Sequence, residues 1–519
     1  SLVTAMSSSR TSTPAWMAYS KAGREFSGIT ARAPRWPWTR IFESAAIAIQ
    51  HRQTRAGANL SIMTMSIKQR GFKLLNRRSF STAAAMTAVS YSRVMGANER
   101  LRMGYIGIGN RGDQVHDGFL EHGDNQTVAV CDLREDYMDF AINKAKSKQP
   151  GADPKRYKDY RKLLEDKTVD AVAIATPDHW HALQFIDACR AGKDVYVEKP
   201  LSLTVSEGRR MVEVANETKR VTQVGIHRRS AKFLQEAAQL CREGAIGKIT
   251  SARGFHLTNE WPKGLGAAPD GPPPTDFEWD QWLGPAPKVP YNRNRAFYNF
   301  RWFYHYSGGQ LTNFGVHYMD MMRWCIGQDS PRAVTVMGGR YAGLEDNREI
   351  PDTLEAMWEF DGCLVVFCQS NANGSPMNRG GSEMEIRGTK GTMLLYGNRW
   401  EIVPENTTEM LLGKRTPLDR TSERAYGPSK KPLIEARANK GSADTAFHAR
   451  NFLDCVKSRA KCNCDILTGH LSTAATLIGN IAHKTRSYLE WDAKAERFTN
   501  NAAANKLLSY QYRAPYKLG

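Results

Sequence analysis

The chain has 519 residues, 41% of them hydrophobic and 24% charged, as expected for a globular protein of two or three domains. Its net charge of +19 does not make it a nucleic-acid binder, because residues 1–100 alone contribute +12, with 15 Lys and Arg against 3 Asp and Glu. No apolar run approaches the roughly 18 residues of a membrane-spanning helix, and the nine cysteines include only one close pair, Cys462 and Cys464, too few for a zinc site.

The first hundred residues are predicted to be a leader. Residues 1–64 are rich in Ser, Ala, Thr and Arg and lack periodicity, which indicates disorder. From Met63 or Met65 onward a basic start, the sequence RRSF (77–80), an Ala/Thr/Ser stretch and small residues near Gly96 follow one another. This order is typical of a twin-arginine export signal, and that route carries folded proteins. We therefore expect residues 1–98 to direct export to the periplasm; a basic disordered leader on a cytoplasmic protein is the alternative.

A glycine-rich loop opens the folded part of the chain. The stretch RMGYIGI predicts a strand, GIGNRG (107–112) has the spacing Gly-x-Gly-x-x-Gly, and a predicted helix follows. Such a loop turns tightly, lets the backbone approach a pyrophosphate and points a helix N-terminus at the phosphates. The second predicted strand, TVAVCD, ends in Asp132, about twenty residues on, where a carboxylate binds the adenosine ribose. The pattern predicts NAD(H) bound by Gly107, Ile108, Gly109, Asn110, Arg111, Gly112 and Asp132.

Asp132 also bears on the choice of dinucleotide. Its carboxylate would repel a 2′-phosphate, which favours NAD over NADP. Arg134, two residues on, could accommodate that phosphate, so the sequence leaves NADP open.

Strands and helices continue to alternate through residues 101–227. This alternation predicts a doubly wound parallel sheet, and we place the first folded domain at residues 99–227. Ligands of such sheets bind beyond the carboxyl ends of the strands. Three short segments fall at those ends: Thr176-Pro177, Glu198-Lys199-Pro200 and His227-Arg228.

Several motifs together resemble the glucose–fructose oxidoreductase / inositol dehydrogenase / MocA family. They are GIGNRG, ATPDHWH (175–181), EKP (198–200), EGAIGKI (243–249), SGGQLTNFGVHYMDMMRW (307–324) and YRAPYKL near the end. The combination of EKP with the glycine–glycine helix is the specific part, and the resemblance covers roughly residues 101–519. The leader and the tail look most like secreted bacterial members.

The resemblance implies a second domain, residues 228–519, built on an open, mostly antiparallel sheet with helices on one side. Six segments fit its strands: ITSARGFHL, RAVTVMGG, TLEAMWEF, CLVVFCQS, SEMEIRG and GTMLLYG. Residues 257–306, rich in Pro, Trp and Tyr, are long for a structureless loop and are expected to form a pocket wall or a subunit contact. By analogy with family oligomers, whose sheets pair, we expect a homo-oligomer.

The resemblance also implies roles for three residues. Lys199 would lie beside the nicotinamide ribose and the substrate hydroxyl, and His317 would be the general base. Asn313 shares a helix face with His317, and many dehydrogenases of the family have aspartate there. An amide can bind a hydroxyl but cannot stabilise an imidazolium as a carboxylate does. Asp320 could supply that charge or could form a salt bridge.

Other candidates are assigned more loosely. Thr176, Pro177, His181 and Glu198 would lie near the cofactor. Arg228 could hold a polar substrate or reach the cofactor, whereas His179 is expected to be structural. Tyr304, with Trp302 and His305, would line a sugar pocket or belong to the core. The histidines lack the spacing of a metal site, so no metal is expected.

Three functions remain compatible with the sequence. The first is an NAD-dependent dehydrogenase acting on a sugar, cyclitol or related polyol, with Lys199 and His317 handling the hydroxyl proton. The second is an NAD-retaining glycosidase or lyase that oxidises a ring carbon transiently, eliminates and returns the hydride. The third is a non-catalytic sugar-binding protein of the same fold. The substrate itself is not disclosed by the sequence.

Overall fold

A computed structural model describes residues 100–342, 345–406 and 431–519, apart from the side chain of Arg379. All of them belong to one compact unit, Arg93–Gly519. The predicted leader, residues 1–98, lies outside the described residues. None of the helices within the described ranges is long and apolar enough to cross a membrane.

Six parallel strands form the first sheet, in the order β3-β2-β1-β4-β5-β6. The central strands β4 and β5 are buried along their whole length, as expected for a sheet covered on both faces. The predicted doubly wound parallel sheet is thereby confirmed. The strands are β1 Leu101–Ile106, β2 Asn125–Cys131, β3 Lys155–Tyr157, β4 Ala171–Ile174, β5 Asp194–Val197 and β6 Thr222–Val224.

Helices cover both faces of this sheet. They are α1 Asn110–Leu120, α2 Glu135–Lys148, α3 Tyr160–Glu165, α4 Asp178–Arg190 and α5 Val205–Thr218. Helix α5 starts with a capping box, in which Thr204 accepts from the amide of Glu207 and the Glu207 side chain accepts from that of Thr204. A later helix, α10 Thr445–Ser458, packs against α1, where Phe119 meets Phe452 edge to face. Helix α10, although it lies far from the first domain in sequence, thus completes the core of that domain.

Within the described residues, ten strands form the second sheet, in the order β14-β13-β12-β11-β7-β10-β9-β8-β15-β16. Only β7 and β10 pair in parallel among its strands within the described residues, so the mostly antiparallel sheet is also confirmed. The strands are β7 Ile249–Leu257, β8 Ala333–Gly339, β9 Thr353–Phe360, β10 Cys363–Ser370, β11 Met384–Gly388, β12 Gly391–Leu395, β13 Arg399–Pro404, β14 Arg437–Lys440, β15 Leu489–Asp492 and β16 Arg497–Phe498.

One face of this sheet packs against helices around a core that includes Trp358, Phe367 and Trp400. The helices of this part of the chain are α6 Lys232–Arg242, α7 Trp279–Leu283, α8 Gly309–Asn313, α9 Gly315–Ile326, α11 Ile466–Thr485 and α12 Ala502–Asn505. Short 3-10 turns cover His227–Ser230, Phe297–Trp302, Arg379–Gly381 and Lys506–Leu508.

The helix predicted over residues 310–325 is divided into α8 and α9 at Phe314. The amides of His317 and Tyr318 both point at the carbonyl of Phe314, at 3.0 and 3.3 Å. Sharing one acceptor tightens the turn, so the helix is interrupted although Phe314 keeps helical dihedral angles.

The aromatic segment 257–306 folds against the first domain. Phe277, Trp279, Trp282, Phe303 and Tyr306 belong to one buried apolar cluster. The ring nitrogens His179 Nε2 and Trp180 Nε1 lie 3.0 and 2.9 Å from the carbonyl oxygen of Trp282. We call residues 277–301 the wall segment, because its side chains line the cleft described below.

The C-terminal tail holds the wall segment from outside. Arg513 donates to the carbonyl oxygen of Gly284 and to both the side chain and the backbone of Asp280. Tyr516 packs edge to face on Trp180. Helix α7 is therefore fixed to the first domain through Trp282 and to the tail at both of its ends.

Candidate active site

A cleft of about 580 Å³ lies between the carboxyl ends of the first sheet and the wall segment. The glycine loop, Asp132 and Glu198-Lys199-Pro200 line it from the first domain. Phe277, Trp282, Phe297, Tyr298, Phe300 and Arg301 line it from the wall segment, and Tyr516 from the tail. The position agrees with the rule that ligands bind beyond the carboxyl ends of parallel strands.

The glycine loop leaves room for backbone contact with a ligand. Gly107 has φ +79°, which favours glycine, and a Cβ there would lie 2.7 Å from the amide nitrogen of Thr176. A Cβ on Gly112 would lie 2.1 Å from the carbonyl oxygen of Gly107. Helix α1 starts immediately after the turn, with its free N–H groups at the cleft. These residues fit a dinucleotide pyrophosphate.

Substituting Gly112 with alanine is expected to weaken NAD binding at least about tenfold, since the new methyl group pushes the loop out of its turn. Equilibrium titration with NAD⁺ measures the effect. Gly123→Ala is the matched control, because a Cβ at Gly123 meets no atom within 4 Å. Equal NAD affinity in both variants would contradict the assignment of the loop.

Asp132 closes the loop from the second strand. Its carboxylate accepts from the amides of Ile108, at 2.8 Å, and Arg134, at 3.0 Å, and burial raises its pKa. The Arg134 guanidinium pairs with Asp136 and lies over the rings of Tyr137 and Phe297, 4.8 and 5.2 Å from their centroids. Arg134 is thus already neutralised, which argues against its holding a 2′-phosphate.

Glu198 ties the glycine loop to the EKP motif. Its carboxylate is buried and accepts from Arg111 Nε at 2.9 Å. The Arg111 Nη2 atom is buried and has no partner among the described residues, so one donor remains for a ligand. Thr176 hydrogen-bonds to Gln184, and His181 spans the carbonyl oxygens of Thr176 and Pro200, both at 2.8 Å. His181 therefore braces two of the cleft's loops.

Lys199 and Asn313 meet in the cleft. Lys199 Nζ donates to Asn313 Oδ1 at 2.7 Å, and both residues line the cavity. Burial lowers the pKa of Lys199 to about 8, helped by the positive charges of Arg301 and Arg111 and opposed by Glu198. A lysine with such a pKa can give or take a proton near neutral pH.

Gln310 fixes the Asn313 amide. Its Oε1 accepts from Asn313 Nδ2 at 3.0 Å, which directs Asn313 Oδ1 toward Lys199. The sequence prediction missed this residue. The signal was present in the spacing, because positions 310 and 313 share a helix face.

His317 lies deeper than Lys199. It is buried, it is not among the residues that line the cleft, and its Nδ1 has no partner within the described residues. Its ring is 5.2 Å from that of His227, nearly perpendicular to it. Burial lowers the pKa of His317 well below its ordinary value, with further lowering by His227, Lys199, Arg228 and Arg111. The structure brings Lys199 and Asn313 together, whereas the role of His317 as base stays a prediction.

Three other candidates lie away from the cleft lining. Arg228 pairs with Glu383 at 2.6 Å and lies over the ring of Tyr318. Tyr304 is covered by Lys484, whose Nζ is 3.8 Å from the ring centroid. Asp320 is buried and pairs with Arg229, so it matches the predicted salt bridge rather than a charge for His317.

No cluster of His, Cys, Asp and Glu within the described residues could hold a metal ion. The nine cysteines, all in this part of the chain, are buried and none forms a disulfide.

Comparison with known protein families identifies both domains. Residues 101–226 match the oxidoreductase family with an NAD-binding Rossmann fold, and residues 235–393 and 429–518 match the C-terminal α/β domain of the same family. The chain belongs to the Gfo/Idh/MocA oxidoreductase family. NAD is therefore its cofactor, in agreement with the glycine loop and Asp132.

The chain is similar to proteins of two activities. It is 34% identical over 162 residues to an α-N-acetylgalactosaminidase of Shewanella oneidensis, covering 31% of this chain and 35% of that protein. It is 27% identical over 230 residues to a myo-inositol 2-dehydrogenase of Thermotoga maritima, covering 44% and 56%. These matches span between a third and somewhat over half of the relatives' length.

A solved structure shows the same fold. Levoglucosan dehydrogenase, in complex with NADH and levoglucosan, aligns with a TM-score of 0.53 at 18% identity. The alignment covers 75% of this chain and 99% of that one.

Proposed function

We propose that this protein is an NAD-dependent oxidoreductase that transfers a hydride between the nicotinamide and a sugar, cyclitol or related polyol. The contact between Lys199 and Asn313 carries the proposal. It places a lysine with a pKa of about 8 in the cleft that begins at the glycine loop. The dehydrogenase relatives support the substrate class.

Residues of the chain accept the proton that the substrate hydroxyl loses during hydride transfer. The bound nicotinamide supplies the hydride acceptor. Lys199 Nζ, in its neutral form, accepts the hydroxyl proton of the substrate, while Asn313 holds the amine in position. His317 lies behind this pair as the second proton-handling group. The aromatic wall segment limits water access to the reacting carbon.

The decisive experiment is turnover with a panel of sugars and cyclitols. NADH formation equal to the sugar oxidised would support the dehydrogenase. Product formed without net NADH would contradict it. Mass spectrometry of ligands released from the purified protein should identify NAD in either case.

The second candidate is a redox-neutral glycosidase or lyase that retains its NAD. Two observations favour it: the similarity to an α-N-acetylgalactosaminidase, and a cleft wall fixed to the first domain at Trp282 and to the tail at Gly284 and Asp280. We expect a wall held in this way to slow cofactor exchange. Release of the leaving group from an aryl glycoside, without added NAD⁺ and without net NADH, would select this activity.

We also propose that the leader exports the protein through the twin-arginine route. Replacing Arg77 and Arg78 with lysines should retain the protein in the cytoplasm, because the paired arginines are the signal that the route recognises. Cell fractionation measures the effect. Unchanged distribution would contradict the proposal. A homo-oligomer remains the expected assembly.

A further inference from the structure

Six cationic side chains line the cleft, and four of them have a carboxylate partner. Arg111 pairs with Glu198, Arg134 with Asp136, Lys158 with Glu135 and Arg161 with Asp159. The remaining two are Lys199 and Arg301. Within the described residues neither forms an ion pair with a carboxylate, and Lys199 is held by the neutral amide of Asn313.

Lys199 and Arg301 both line the cleft. The positive charge of Arg301 is one of those that lower the pKa of Lys199. Asp178 lines the cleft as well, where its carboxylate accepts from Ser307 Oγ at 2.5 Å and burial raises its pKa. Arg301 and Lys199 therefore bring to the cleft positive charge that forms no ion pair within the described residues.

Arg301 is also held in a fixed orientation. Its Nε donates to the carbonyl oxygen of Tyr298 at 3.1 Å, and the guanidinium lies 3.9 Å from the centroid of the Tyr298 ring. Stacking fixes the plane of the guanidinium, and the bond through Nε leaves the two Nη groups for a ligand. A planar fork of this kind suits an anion with two oxygens.

We propose that Arg301 provides a subsite in the cleft for an anionic oxygen group, a carboxylate or a phosphate. The group is either the pyrophosphate of the dinucleotide or an acidic substituent of the sugar substrate. The inference rests on the proposed function for the identity of the ligands, and it adds a binding residue from the wall segment to those of the first domain. Its two sources are separable by experiment.

The test compares Arg301→Met with the wild-type protein in three titrations. The probes are NAD⁺ with the protein freed of cofactor, and glucose and glucuronate with the NAD-loaded protein. Methionine keeps the length of the stem but removes the charge and its donors. If the pyrophosphate is the ligand, we expect Arg301→Met to bind NAD⁺ at least about tenfold more weakly than the wild type. If an acidic substituent of the substrate is the ligand, we expect the same loss for glucuronate and none for glucose.

Lys288→Met is the matched control. Lys288 belongs to the same wall segment, is 76% exposed at its side chain and does not line the cleft. It should bind all three probes as the wild type does, and thermal unfolding should show both variants folded. Unchanged binding of all three probes by Arg301→Met would overturn the subsite.

Failure of the subsite and failure of the proposed function give different results. The proposed function fails if the wild-type protein neither binds NAD⁺ nor forms NADH or product with any sugar. The subsite fails if the wild-type protein binds NAD⁺, while Arg301→Met binds each of the three probes as the wild type does. Binding is measured without turnover, so an inactive preparation still decides the second question.

Discussion

Substituting Lys199 with methionine is expected to lower kcat by about a thousandfold, while NAD stays bound and the fold is retained. The ammonium group is the only polar part of this side chain, and its contact with Asn313 Oδ1 places it in the cleft. Methionine fills the same space without a proton to exchange. Steady-state kinetics with the substrate found in the panel, together with NAD titration, measures both parts of the expectation.

Lys193→Met provides the control for loss of a buried lysine. Lys193 precedes β5, as Lys199 follows it, and its Nζ donates to the carbonyl oxygens of Asp166 and Val169 rather than into the cleft. Its loss should lower the melting temperature without lowering kcat. If Lys199→Met keeps more than a tenth of the wild-type kcat, Lys199 is not the base that accepts the proton. His317 would then be the first alternative.

The first domain could be predicted from the sequence because its signals are local. The glycine loop, the strand before it and the acidic residue after the second strand lie within about thirty residues of one another. Each of these residues meets a requirement of the backbone. Gly107 allows a turn, Gly112 allows a close approach, and the Asp132 carboxylate accepts a hydrogen bond from a backbone amide. Because few residue types meet such requirements, the sequence pattern predicts this part of the fold.

The part of the site contributed by the wall segment could not be predicted in the same way. Arg301 lies in an irregular aromatic stretch with no periodicity. It lines the cleft as part of a wall segment that packs against His179 and Trp180 through Trp282. Residues 257–306 were expected to form a pocket wall or a subunit contact, and residues of the wall segment line the cleft. Nothing local in the sequence identified which side chain of the segment would face the cleft.

Helical spacing also left the depth of His317 undetermined. It placed Asn313 and His317 on one face, and the interruption at Phe314 changes how the two lie relative to the cleft. Asn313 lines the cavity and contacts Lys199, whereas His317 is buried beside His227. A shared helix face predicts the direction in which two side chains point. It does not predict how far each side chain lies from a cleft whose other surface belongs to another domain. The identity of the base therefore requires a substitution that affects Lys199 and His317 in opposite ways.

Asn313→Asp is such a substitution. A carboxylate 2.7 Å from Lys199 Nζ stabilises the ammonium form, so the pKa of Lys199 should rise from about 8 to about 9 or higher. If neutral Lys199 accepts the hydroxyl proton, activity rises with pH through that pKa, and the rising limb of kcat against pH must move upward with it. At pH 7 the variant then has about one tenth of the wild-type kcat or less, because about a tenth as much of the lysine is neutral.

The opposite result would identify His317 as the base. A carboxylate at position 313 would stabilise its imidazolium and raise a pKa that burial now holds well below the ordinary value, so a histidine base would become stronger and kcat at pH 7 would increase. Asn500 is exposed and does not line the cleft, so Asn500→Asp makes the same change of charge elsewhere and should leave the pH profile unchanged. If kcat of Asn313→Asp at pH 7 falls relative to that control, Lys199 is the base that accepts the hydroxyl proton. If kcat rises, His317 is the base.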